Sequence, residues 1–168
     1  MHVVSNTTPL CELFKIEQLA LLKETYGSLI IPSEVEEELR LSQDTVIGLY
    51  QTVSESDWVS MRKIEQTSVL DALRQRYPKV DLGEAAAIVL AQELSADLLL
   101  LDDGDARAAA VSEGLTITGT LGTLVAAYET KRISDTQAQQ ILGQLYRGSF
   151  HIGETLYHKV RQRLGLSG

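Results

Sequence analysis

The chain has 168 residues, 44% of them hydrophobic and 5% aromatic, with 23 acidic side chains against 15 basic ones and a net charge of −8. That is enough apolar material for one packed domain and too much for a disordered chain, and the acidic balance argues against coating nucleic acid through a broad basic surface. Cys11 is the single cysteine and excludes an intramolecular disulfide, so a reducing cytoplasm is expected; no apolar run approaches the roughly 18 residues of a membrane span, and no signal peptide is expected.

Residues 2–5 read as a short buried strand. "PLCELFKIEQLALLKETYG" has near-helical apolar spacing and predicts two short helices hinged near Lys15–Glu17, the second ended by Gly27. "SLIIP" predicts a strand closed by Pro32, and Ser33 is the expected N-cap of a helix over "EVEEELRL". "DTVIGLYQT" predicts a helix and "DWVSMRKI" a strand. "SVLDALRQRY" predicts an amphipathic helix ending near Pro78, and "DLGEAAAIVLAQELSA" a longer helix with small residues on one face. "DLLLL" has the continuous apolar character of a strand buried on both faces. A turn and a helix stopped by Gly114 follow, then the short strand "LTITG" and helices over 121–131, 135–147 and 153–164. The alternation predicts an α/β protein with a mostly parallel sheet and right-handed crossovers. No repeat, low-complexity segment or linker divides it.

Loops at the carboxyl ends of parallel strands form the usual ligand crevice. Asn6 follows the first strand, and Asp102 and Asp103 follow the most buried one. Glu38 lies in the helix after the second strand, beside the inward-facing Val35 and Leu39, and Glu84 opens the helix that leads into "DLLLL". Hard oxygen donors of this kind suit Mg²⁺ or Mn²⁺, which activate water and offset charge on a phosphate. Each residue also has a plainer reading. Glu84 is a favourable helix N-terminal charge, an aspartate after a strand is a turn former or N-cap, and Asn6 closes an Asx turn. Arg107, Lys131 and Arg132 are either RNA-backbone contacts or solvated cations. His2, His151 and His158 are expected at the surface or in structural roles.

"VVSNTTPL", "IIPSEVEEEL", "LGEAAAIVLA" and "DLLLLDDGDARAAAVSEGLTITGTLG" together resemble the PIN domain. The nearer likeness is to a bacterial and archaeal branch related to VapC toxins of toxin–antitoxin pairs. The resemblance covers residues 1–130, and the helices of 131–168 are similar to that branch too. It implies a single domain over 1–168 with a three-layer α/β/α fold, a central mostly parallel sheet and additional C-terminal helices. It further implies a Mg²⁺- or Mn²⁺-dependent ribonuclease. The family's acidic positions fall on Asn6, on Glu38 through the Pro32-x-x-Val35-x-x-Glu38 pattern, on Glu84 after Gly83, and on Asp102 or Asp103, which the alignment leaves open by one residue. Glu38, Glu84, Asp102 and Asp103 are thus the catalytic candidates, and the same four with Asn6 are the metal-ligand candidates. Asp105 is an auxiliary one, and Ser5 and Thr7 flank the first position. Asn6 stands where many relatives carry aspartate: its amide oxygen can ligate a hard cation but brings no charge.

The resemblance also implies an RNA substrate, a small antitoxin that plugs the crevice with a basic side chain, and a homodimer. The apolar face of "TLVAAYETKRI" is either a dimer surface or ordinary core. Two rival readings are a catalytically weakened binding or assembly module and a DNA-directed nuclease; no long basic arch or helical clamp supports the latter. A dinucleotide-binding enzyme is disfavoured, since no G-x-G-x-x-G follows the first strand and no phosphate loop occurs.

Overall fold

The structure is a computed structural model that describes residues 1–166; 167 and 168, the last two of the expected C-terminal extension, lie outside the described residues. In chain order the elements are β1 (Val3–Ser5), α1 (Thr7–Lys15), α2 (Ala20–Tyr26), β2 (Leu29–Pro32), α3 (Ser33–Leu41), α4 (Leu49–Glu55), β3 (Val59–Arg62), α5 (Thr67–Arg76), α6 (Leu82–Glu93), β4 (Leu98–Leu100), α7 (Gly104–Ser112), β5 (Ile117–Thr118), α8 (Thr120–Glu129), α9 (Asp135–Arg147) and α10 (Glu154–Arg163).

The five strands form one sheet in the order β3-β2-β1-β4-β5. Every pairing is parallel, with Val3, Val4 and Ser5 opposite Leu98, Leu99 and Leu100 at the centre. Strand side chains alternate between faces, and here both faces are covered. Val3, Leu29, Ile31 and Leu100 pack into a core shared with α1–α4 and α8–α10. Val4, Ile30, Leu99 and Leu101 pack into a second core with α5, α6 and α7. This is the expected three-layer α/β/α arrangement. Helices on both sides explain why "DLLLL" has no polar alternation.

Some local expectations are corrected. Ser33 is the first residue of α3, not its cap; Pro32 takes the cap position at φ −72°, and the Ser33 hydroxyl donates to Glu34 instead. Proline's fixed φ ends the strand and starts the helix one residue early. The helix expected from Asp44 begins only at Leu49, because Gly48 sits at φ +89° and interrupts the run. The apolar face of α8 is core: Leu121, Leu124, Val125 and Ala127 are buried there. His2, His151 and His158 are exposed. No helix among the described residues is long and apolar enough to cross a membrane.

The topology locates a ligand crevice. From β1 the chain builds β2 and β3 toward one edge, then returns to place β4 on the other side of β1. The boundary between β1 and β4 is therefore the switch point, where the loops beyond the strand ends diverge and leave a recess. Asn6 leaves β1 there, and Asp102 and Asp103 follow β4.

Candidate active site

Asn6 is only 4% exposed. Its backbone N–H donates to the Leu100 carbonyl of the neighbouring strand at 3.1 Å, and its own carbonyl accepts from the Ser5 hydroxyl at 2.9 Å. It holds the N-cap position of α1 with extended backbone, yet its side chain makes no capping bond. The Asx turn that would account for it is not formed. Its side-chain oxygen Oδ1 is buried without any hydrogen-bond partner. A buried acceptor left so costs about 1–3 kcal/mol, and such atoms in folded proteins call for an ion, a water or a ligand.

The residue after it ties in the second candidate. Thr7 Oγ1 donates to Glu38 Oε2 at 2.5 Å. Glu38 reaches this point because helical spacing sets it beside Val35 and Leu39, which are buried. Its carboxylate lies over the start of α6, where an ideal Cβ on Gly83 would fall 2.1 Å from Glu38 Oε1. Only a residue without a side chain leaves that space. Burial pushes the Glu38 pKa up, while the Thr7 hydroxyl and the Gly83 backbone N–H favour the ionised form.

Glu84 is the helix N-terminal charge its position implied. It completes a capping box: the Asp81 N–H donates to Glu84 Oε2 at 2.9 Å, and the Glu84 N–H donates to Asp81 Oδ1 at 2.8 Å. It is also buried, at 7% exposure. Burial first, and then the charges of Asp81, Asp103 and Glu38, push its pKa up to about 7. Those three carboxylates thus lie within electrostatic reach of Glu84.

Asp102 and Asp103 diverge. Asp103 is exposed at the N-cap of α7, accepting from the Ala106 N–H at 3.0 Å, and its charge acts on Glu84. Asp102 turns toward the start of α8. Its Oδ1 accepts from the Thr120 N–H at 2.8 Å and its Oδ2 from the Thr120 hydroxyl at 2.6 Å. Burial raises its pKa, opposed by those bonds and by the Arg107 charge. An ideal Cβ on Gly119 would lie 2.5 Å from Asp102 Oδ1, so a glycine is required there too. Asp103 therefore groups with Glu38 and Glu84, and Asp102 joins β4 to the β5–α8 junction. Asp105 is exposed in the first turn of α7.

The PIN-domain family model DUF3368 matches residues 2–166 of this chain. The chain belongs to the PIN-domain family. PIN domains are generally nucleases, hydrolases that typically use divalent metals. Neither a curated protein nor a solved structure matches the chain significantly.

The donor set of this PIN domain can be weighed against such a metal. Among the described residues, no three Asp, Glu, His or Cys side chains stand grouped so as to hold an ion. Mg²⁺ does not need such a cage; it keeps several waters and takes one or two carboxylates. The orphaned Asn6 oxygen and the carboxylates of Glu38, Glu84 and Asp103 are all hard oxygen donors, with no imidazole or thiolate among them. They fit Mg²⁺ or Mn²⁺ better than zinc. Reading the PIN-domain sequence alone missed Asp81, Thr120 and the steric roles of Gly83 and Gly119. The D-x-x-E pattern of Asp81 and Glu84 was legible as a capping box. The glycine roles were not, because each depends on a carboxylate arriving from a distant segment.

Proposed function

We propose that this PIN domain is a metal-dependent endoribonuclease that hydrolyses RNA phosphodiester bonds, and that it is the toxin of a toxin–antitoxin pair. The observation that carries the reading is the buried, unpartnered Asn6 Oδ1 at the switch point of the sheet, one residue before Thr7, whose hydroxyl bonds Glu38. Asn6 with one or two of Glu38, Glu84 and Asp103 would hold a partly hydrated Mg²⁺ or Mn²⁺, which when bound would supply an activated water and offset charge on the phosphate. Thr7 Oγ1 fixes the orientation of Glu38. Burial pushes the Glu84 pKa up to about 7 in the metal-free protein, and a bound cation would draw it to the carboxylate form. Asp102 keeps the β4 turn in place through Thr120. The excess of carboxylates also suits a basic side chain from a small antitoxin.

Cleavage of a mixed set of structured RNAs in Mn²⁺, Mg²⁺ and EDTA tests this, with Glu84→Gln as the control for contaminating nuclease. The expected outcome is metal-dependent cutting that falls about 100-fold or more in the variant. Full activity in Glu84→Gln removes Glu84 from the mechanism. No cutting by the intact protein favours a weakened binding module, the reading that the uncharged Asn6 supports. Cutting of DNA in preference to RNA would instead make it a DNA-directed nuclease.

A further inference from the structure

A second recess lies one strand along from the acidic crevice. This cleft, of about 550 Å³, runs between the β5–α8 junction and α10. Asp102 lines it, one residue before Asp103 in the chain. In a chain with net charge −8, the cleft is lined by Arg107, Lys159 and Arg163 against only two acids, Asp102 and Glu129. Both acids are already matched. Glu129 accepts from Arg163 at 2.6 Å, and Asp102 accepts two bonds from Thr120 and faces the Arg107 charge. Lys159 is exposed and has no acidic partner among the described residues.

The α10 wall of the cleft mixes apolar and cationic side chains. Leu156, Lys159, Val160 and Arg163 fall on one stripe of α10, because residues three and four apart share a helix face. Leu156 stays 48% exposed, and Phe150 lines the same recess. An exposed lysine without an acidic partner, flanked by two arginines and a partly open aromatic surface, is the combination that takes up single-stranded nucleic acid, with phosphates on the cations and a base against the ring. The volume falls within the range of ligand clefts.

We propose that this cleft binds the single-stranded RNA flanking the bond cut at the acidic centre, with Lys159 and Arg107 on backbone phosphates and Phe150 against a base. The role of that strand as substrate rests on the nuclease reading; the binding does not. The test is fluorescence anisotropy of a labelled single-stranded RNA decamer with the full chain, in EDTA so that nothing is cut. Lys159→Glu is compared with Lys63→Glu, the same charge change on another exposed lysine, just after β3 at the opposite edge of the sheet. Lys159→Glu should weaken binding about tenfold and lower the salt dependence by about one ion, while Lys63→Glu changes affinity by about twofold or less. Phe150→Ala should weaken it about fivefold, with thermal melting run alongside to show that the fold holds.

Equal losses in the two lysine variants, or no RNA binding at all, overturn the proposal. Displacement of the RNA by polyglutamate at matched charge overturns it in favour of an acidic protein occupant. Metal-dependent cutting with a KM unchanged by Lys159→Glu overturns the cleft and leaves the nuclease standing. Binding lost in Lys159→Glu, with no cutting by the wild-type protein, supports the cleft and overturns the nuclease.

Discussion

The turns that follow β1 and β4 lie side by side at the centre of one parallel sheet, and each sends a polar side chain into the protein. After β1, the Asn6 oxygen is buried and has no partner. After β4, both Asp102 oxygens are taken up by Thr120. The same kind of position therefore carries two different jobs. A buried oxygen whose bonds are complete holds the protein together, whereas one left unsatisfied is poised for something that arrives later. Asp103, one residue on from Asp102, stays exposed and faces the electrostatic field of Glu84.

Four measurements break or sharpen that contrast. The largest effect is expected at Asp102. Asp102→Ala strands the Thr120 N–H and hydroxyl and should cost about 2–4 kcal/mol in denaturant unfolding, while Asp103→Ala loses only a helix cap, about 1 kcal/mol. The reverse ranking would exchange the roles assigned to the two aspartates. Next is Gly83→Ala. The new methyl displaces the Glu38 carboxylate from Thr7 while a helix position gains propensity, so nuclease activity should drop about tenfold or more while unfolding stability falls by only about 1–2 kcal/mol, the helix gain offsetting part of the lost bonds. Retained activity would show that the Glu38–Thr7 arrangement is dispensable.

Asn6→Asp comes third. It adds charge to a recess that holds carboxylates, so Mn²⁺ affinity by calorimetry should rise about tenfold, while the metal-free protein loses about 1–3 kcal/mol from burying the new charge. Unchanged or weaker Mn²⁺ binding would remove position 6 from the ligand set. The smallest effect is a pH dependence. The folded pKa of Glu84 is about 7 against an ordinary 4.5. The folded state thus binds this proton more tightly than the unfolded chain. Its stabilising effect is complete below about 4.5 and is lost as pH rises through about 7. The metal-free Tm should fall by a few degrees across that window, and Glu84→Gln should flatten the decline. An identical slope in the variant would assign the loss to other groups.

Much of this was legible along the chain. "DLLLL" declared a doubly buried strand through its unbroken apolar run, and Gly27 and Gly114 marked helix ends, where both adopt positive φ. Asn6, Glu38 and Glu84 could be picked out because strand-end and helix-start positions carry their own local signals. Ser33 misled, since its capping propensity was real but the preceding proline already held the cap geometry. The apolar stripe of α8 was equally compatible with a core or an interface, and only its contacts with the surrounding helices decided between them.

The sequence by itself determined the alternation of strand and helix, the strand ends at which polar residues could gather, and the acidic balance of the chain. Those properties are local, set by side-chain period, turn chemistry and composition. Only the tertiary structure decided that Asp102 turns to Thr120 while Asp103 faces Glu84, that Gly83 makes room for Glu38, and that Lys159 and Arg107 line one cleft. Each of those depends on which distant segments the parallel crossovers bring to the same end of the sheet, and adjacent residues along the chain point into different surroundings once they get there.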